Sequence, residues 1–259
     1  MGLAAKDLKT IVITGASSGI GAALAQHYAA PGIVLGLTGR DEARLASVKE
    51  ACIKKGAEVV TQVLDVTDQQ AMQVWLTAFD DGHPIDLVVA NAGISAGPGP
   101  LTLEDPVRAR EVFAVNFTGV LNTIDPVLPR MIERRRGHVA LMSSLAGFRG
   151  FPGAPAYTAS KAAVRLYGEA LVNSLKKHRV GVHVICPGFV ESSMTARNPF
   201  KMPFLMSAEE AAGRVARGLE QGKTRIAFPW PMLFAVRFLA CLPDGLALTL
   251  TRETPSKPR

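Results

Sequence analysis

Residues 10–30 read TIVITGASSGIGAALAQHYAA: a short apolar run, a glycine-rich turn, then a helix-forming stretch, with nothing between them. An apolar run this short and rich in β-branched residues predicts a buried strand. In the turn, Gly15, Gly19 and Gly21 let the backbone bend sharply and come close to another group. The helix that follows aims its free N–H groups and the positive end of its dipole back at the turn. Strand, turn and helix in this order form a cradle for a pyrophosphate, with Ser17, Ser18 and Ile20 beside the glycines.

The same alternation runs on from there. Further apolar runs stand at 33–38, 58–64, 85–90, 138–142 and 180–186, each bounded by Gly, Pro, Asp or Asn. Stretches with helical spacing lie between them at 41–55, 68–80, 104–134 and 156–178. Strands alternating with helices predict βαβ units. Near-continuous apolar strands predict a sheet covered on both faces. The expected fold class is therefore α/β, a doubly wound parallel sheet in three layers. No repeat, linker or low-complexity run divides residues 1–259, so a single domain is expected.

Composition excludes several classes. Apolar residues make up 48% and charged residues 20%, which is too apolar for a disordered chain. Cys52, Cys186 and Cys241 are odd in number and far apart. They predict a reducing, cytoplasmic setting rather than a disulfide framework. The five histidines make no His-Glu-x-x-His pattern, and no metal is expected. The opening MGLAAKDLKT has no apolar core, so no leader is expected, and Lys6 stands where a myristoylation motif needs Ser or Thr. Of the net charge of +7, residues 214–259 supply +5, from eight Lys/Arg against three Asp/Glu. This basic tail is also greasy, unlike the interleaved basic stripe of a nucleic-acid binder, and no nucleic acid is expected.

The ends of the strands carry the other candidates. Thr38-Gly39-Arg40-Asp41 closes the second strand. Gly39 leaves no carboxylate to meet ribose hydroxyls, and the fork of Arg40 suits a phosphate. NADP is thus favoured, with NAD as the alternative. Arg40 could equally be a solvated loop charge paired with Asp41 or Glu42. Asp65 and Val66 follow the third strand, and Asn91, Ala92 and Gly93 follow the fourth, where open α/β sheets bind ligands. Ordinary turn chemistry would also explain an Asp and an Asn there. Tyr157 and Lys161 stand four apart in a helix-forming run, hence on one face. A nearby ammonium favours the phenolate, lowers the tyrosine pKa and fits the phenol for proton exchange with a carbonyl or alcohol oxygen.

Taken in order, TGASSGIG at 14–21, Asp65, Asn91-Ala92-Gly93, Asn116, Ser144, Tyr157-x-x-x-Lys161 and Pro187-Gly188 resemble the short-chain dehydrogenase/reductase family over roughly residues 8–195. The resemblance implies a Rossmann fold and hydride transfer between a nicotinamide and a small carbonyl or alcohol. It implies Tyr157 as general acid and base, and Lys161 as the group that acidifies it and holds the nicotinamide ribose. Ser144, rather than Ser143, would hold the substrate oxygen. Asn116 would bend its helix and hold a water leading to Lys161. Ser17 and Ile20 would contact the pyrophosphate, and Asp65 and Asn91 the adenosine half. Gly15, Ser18, Gly19, Gly21, Val66, Ala92, Gly93, Pro187, Gly188 and Val190 complete the cofactor set, with Ser192 where the family often has a Thr. A homodimer or homotetramer built on the helices at 104–134 and 156–178 is also implied. A non-catalytic nucleotide-binding scaffold is the rival reading, and the complete Asn116, Ser144, Tyr157 and Lys161 set weighs against it.

Two stretches depart from the family or stay open. Residues 189–206, FVESSMTARNPFKMPFLM, fall where the family has a lid over the substrate. Their Met and Phe suit an irregular apolar ligand or plain core packing. From 226 the chain continues as a hydrophobic, basic extension instead of the family's usual Asp-Gly-Gly ending. It could roof the substrate pocket or pack between subunits. It could lie in a membrane surface, making the protein a membrane-peripheral, lipid-type ketoreductase. It could also be a loose end. The longest charge-free piece of 226–250 is residues 226–236, so a spanning helix of about 20 apolar residues is not expected.

Overall fold

The computed structural model describes residues 8–97, 103–198 and 200–252. Seven strands, β1 (Thr10–Ile13), β2 (Val34–Gly39), β3 (Glu58–Val63), β4 (Leu87–Ala90), β5 (Gly137–Met142), β6 (Val180–Pro187) and β7 (Arg225–Phe228), form one sheet in the order β3-β2-β1-β4-β5-β6-β7. Every pairing is parallel, beginning with Thr10 against Val34 in β1 and β2. Helices cover both faces, giving the expected three-layer Rossmann-like fold. Residues of β1 and β4 are wholly buried because alternate side chains enter opposite cores. Ile11 and Ile13 face a core closed by α1 (Gly19–Tyr28) and α8 (Ala208–Glu220), and Val12 faces one closed by α3 (Gln69–Gly82) and α7 (Pro155–Lys176).

Strand order reverses between β1 and β4, so the turns after these strands splay apart and open a crevice. Local chemistry sets the helix entries into it. Asp41 accepts a bond from the Arg44 N–H and starts α2 (Glu42–Ile53), and Asp68 does the same for α3 through Ala71. Pro155 stands at the start of α7, and the Glu104 carboxylate accepts the Ala156 N–H at 2.8 Å beside it.

Three expectations are corrected. The stretch 104–134 is not one helix. It breaks into α4 (Pro106–Phe113), a π-helical turn (Ala114–Thr118), α5 (Gly119–Ile124) and α6 (Leu128–Glu133). The π turn falls where Asn116 turns its amide to the Ile94 backbone, and Pro126 has no N–H to carry a helix onward. The seventh strand, β7, was hidden at the head of the apolar tail. The tail itself is not a loose end over its described part: α9 (Trp230–Cys241) and α10 (Asp244–Thr251) fill it, each following a proline. Residues 189–206 are largely irregular, with a short 3-10 turn (Thr195–Arg197) and a bridge pairing Val190 with Met206. Residue 199 of that stretch lies outside the described residues, as does the start of the chain, residues 1–7, where a leader was sought.

Candidate active site

An open cleft of about 1260 Å³ runs along the carboxyl ends of the strands. Its floor begins at the turn after β1. Gly15 (φ 64°) and Gly19 (φ 54°) hold left-handed conformations that other residues adopt only under strain. Asn91 ties this turn to the end of β4. Its side-chain amide donates to the carbonyl oxygens of Thr14 (2.9 Å) and Gly15 (3.2 Å), and its own N–H donates to the Thr14 hydroxyl at 3.1 Å. Ser18 starts α1 but makes no capping bond with its side chain, so the first N–H groups of the helix face the cleft without a side-chain acceptor from Ser18. Such a terminus, on a turn with no side chain at Gly15 or Gly19, fits a phosphate. Gly21 is not on the cleft wall. It packs beneath it: a Cβ there would lie 2.4 Å from the Gly15 carbonyl oxygen and 2.5 Å from the Asn91 amide nitrogen.

At one end of the cleft stand two arginines. Arg40 reaches Asp65 at 3.4 Å, not Asp41 or Glu42, and its side chain remains 63% exposed. Burial pushes the Asp65 carboxyl up, yet bonds from the Thr67 N–H (2.9 Å) and hydroxyl (2.8 Å), with the Arg40 charge, leave it below its ordinary value. Arg44, which sequence reasoning did not single out, is held by the Asp41 carboxylate at 2.7 Å and lines the same end. No spacing rule announces it, because its position follows from the start of α2.

Ser144, Tyr157 and Lys161 come together at the other end, one from the turn after β5 and two from α7. Ser144 accepts the Ala146 N–H at 3.1 Å and starts a 3-10 turn (Leu145–Phe148). That turn is pressed onto α7: a Cβ at Gly147 would lie 2.7 Å from the Lys161 carbonyl carbon, and the Ser143 hydroxyl donates to the Lys161 carbonyl at 2.7 Å. The Lys161 ammonium donates to the Met142 carbonyl at 2.8 Å and lies 5.9 Å from the centre of the Tyr157 ring. Burial pushes the phenol above its ordinary value, and a hydrogen bond with Ser144 draws it partway back.

Asn116 does not line the cleft. Fully buried behind it, its amide accepts the Ile94 N–H at 2.8 Å and donates to the Ile94 carbonyl (3.0 Å) and the Ser160 hydroxyl (3.1 Å). The remaining expected residues, Ser17, Ile20, Val66, Ala92, Gly93, Pro187, Gly188, Val190 and Ser192, all line the cleft. Thr195, also missed from sequence, locks this last group: its hydroxyl accepts the Ser192 N–H at 2.9 Å and donates to the Val190 carbonyl at 2.8 Å. Cys186 is buried, and burial pushes its thiol up to about 11, which keeps it protonated and poorly nucleophilic.

Residues 9–202 match the family model for short chain dehydrogenases. The chain belongs to the short-chain dehydrogenase family. Its relatives include an uncharacterised oxidoreductase of Myxococcus xanthus, 38% identical over 94% of this chain and 96% of that protein. Among solved structures, a short-chain dehydrogenase from Sphingobium yanoikuyae in complex with NADPH matches with TM-score 0.80 and 25% identity, over 95% of this chain and 96% of that one. A short-chain dehydrogenase/reductase from Burkholderia phymatum in complex with NAD matches with TM-score 0.82 and 26% identity over 99% of both chains. As in other short-chain dehydrogenases, the chemistry expected of this chain is oxidoreduction. Among the described residues, no helix is long and apolar enough to cross a membrane.

Proposed function

We propose that this short-chain dehydrogenase interconverts a carbonyl and an alcohol on a hydrophobic small molecule, using NADP in preference to NAD. The observation that carries the reading is one cleft holding both the phosphate-fitting turn at Gly15–Ile20 and the Ser144, Tyr157 and Lys161 side chains. When bound, the nicotinamide supplies or accepts the hydride. The chain supplies position and a proton. Ser144 holds the substrate oxygen and Tyr157 gives its phenolic proton to it, or takes one back in oxidation. Tyr157 is protonated at neutral pH, as an ordinary phenol is, and so can serve as the acid of a reduction. Lys161, whose ammonium donates to the Met142 carbonyl at 2.8 Å, would hold the nicotinamide ribose. Asn116 is a positioning residue, which fixes Ile94 and, through Ser160, the helix that carries Tyr157.

Arg40 gives the NADP preference, since its exposed guanidinium stands at the cleft end beside Asp65. Gly15, Ser17, Ser18, Gly19 and Ile20 would take the pyrophosphate, and Asp65 and Val66 the adenosine side. Ala92, Gly93, Pro187, Gly188, Val190 and Ser192 line the rest. Residues 189–206 act as the lid of a single domain, and residues from 226 extend it. Partly exposed Phe113 and Leu166, on helices α4 and α7 that touch each other, support a homo-oligomer through that face. A second reading, a lipid-like substrate met by a membrane-peripheral enzyme, is favoured by the apolar side chains that α9 exposes. The deciding experiment is a panel of ketones and alcohols read by NADPH absorbance, with NADH in parallel. Turnover of apolar ketones with NADPH is expected. Cofactor binding with no turnover of any member would favour the scaffold reading.

A further inference from the structure

The two sides of α9 differ in what they touch. Met232, Leu233 and Val236 face inward and pack with Leu145 and Phe148 of the turn that Ser144 begins. Trp230, Phe234 and Phe238 face outward at 76%, 69% and 55% exposure, and the two phenylalanine rings stack at 6.5 Å. Their spacing of four places them in one stripe along the helix. α10 continues the surface with exposed Leu246, Leu248 and Leu250. Six large apolar side chains exposed on two consecutive helices mark a contact surface.

Charge identifies the occupant. Arg237 is exposed and lies within the aromatic stripe, three residues beyond Phe234, and exposed Arg252 follows α10. The one acid of α9 and α10, Asp244, is taken by Arg149 at 2.9 Å. A second copy of the chain docked by this face about a two-fold axis would set Arg237 near its own equivalent. An anionic lipid surface would instead pair with both arginines while the aromatic rings enter the interface. The 12 residues of α9 are too few to span a bilayer but ample to lie on one.

We propose that the outer face of α9 and α10 docks on an anionic lipid bilayer. Docked this way, the membrane lies one helix away from the cleft. Met232, on the inner side of α9, abuts Gly188 of the cleft wall, where a Cβ would be 2.9 Å from its sulfur. The inference concerns a surface and is read without turnover, so it stands or falls apart from the catalytic reading.

Sedimentation of the full chain with vesicles tests it, using phosphatidylcholine alone and phosphatidylcholine mixed with phosphatidylglycerol. Binding to the anionic vesicles, weak binding to the neutral ones and release at high salt are expected. The Phe234→Glu/Phe238→Glu variant should lose about tenfold in vesicle affinity, and Arg237→Gln about fivefold. Trp230 emission should shift to the blue on binding, and Trp230→Phe should remove the shift. If the double variant does not fold, Leu248→Glu on α10 carries the same expectation. Failure to bind either vesicle, or equal binding of wild type and Leu248→Glu, would overturn the proposal. So would ultracentrifugation showing that these substitutions split an oligomer of a protein that ignores vesicles; the face would then join copies of the chain.

Discussion

Replacing Arg40 by Ala should cost NADPH affinity and spare NADH. The magnitude follows from the partners. A charge-assisted bond from a guanidinium to a phosphate is worth roughly 1.5–3 kcal/mol. Against it stands whatever Arg40 gives up, which is the Asp65 contact at 3.4 Å, with side chains 63% and 38% exposed. Such a pair is worth about 0–1 kcal/mol. Asp65 keeps its two bonds from Thr67, so releasing Arg40 strands no charge. The net loss is about 0.5–3 kcal/mol, or roughly 2- to 150-fold in the NADPH dissociation constant. NADH has no phosphate at that end, and its constant should move less than about twofold. Titration of each cofactor by its own fluorescence reads both numbers, with Arg44→Ala as the companion variant. Arg44 is already bonded to Asp41 at 2.7 Å, so its loss should be the smaller of the two. Equal weakening of both cofactors by Arg40→Ala, or no change in either, would refute the phosphate role.

Two further outcomes follow from packing and protonation. Gly21→Ala would place a methyl 2.4 Å from the Gly15 carbonyl and 2.5 Å from the Asn91 amide, so the cradle must shift; overpacking of this kind costs about 1–3 kcal/mol, and urea denaturation with a parallel cofactor titration should show both stability and binding reduced. Away from the cleft, burial and the neighbouring His183 draw His138 down to about 4. His183 donates from Nδ1 to the Lys223 carbonyl at 2.8 Å, so its Nε2 must accept the His138 Nδ1–H at 3.0 Å, and the pair is neutral. Below pH 6.5 the unfolded chain takes up a proton at His138 that the folded chain refuses until about 4, so stability falls as pH falls through that window. The loss between pH 7.5 and pH 5 should be about 2 kcal/mol in urea denaturation. A double His138→Leu/His183→Leu variant should flatten that slope, and an unchanged slope would speak against the neutral pair.

The sheet was legible because strands buried on both faces leave short apolar runs, and those from β1 to β6 stand within about two residues of the expected bounds. The four residues of β7 were not, since Ile226–Phe228 merge by composition with the apolar tail and only pairing with β6 separates them. Nor was the break after Phe113. A continuous helical pattern covers it, and the cause lies more than twenty residues away in the Ile94 backbone. Within the site, the glycine turn and the Tyr157–Lys161 spacing are local signals and could be read directly. Arg44 and Thr195 act through partners set by the fold, Asp41 and the Val190–Ser192 segment. For the Tyr157 phenol, spacing gives the nearness of Lys161 but not the burial that pushes its pKa up.

The phenol of Tyr157 is the proposed proton carrier of the reaction run in this cleft. Tyr157→Phe removes one oxygen atom and leaves the ring packed with Ala96, Val112 and Ala156. Once the ketone panel has supplied a substrate, NADPH-dependent turnover and NADPH binding should be measured together on this variant. Turnover should fall by about 10³-fold or more, with the dissociation constant of NADPH changed less than about threefold. Turnover at the wild-type rate would contradict the account.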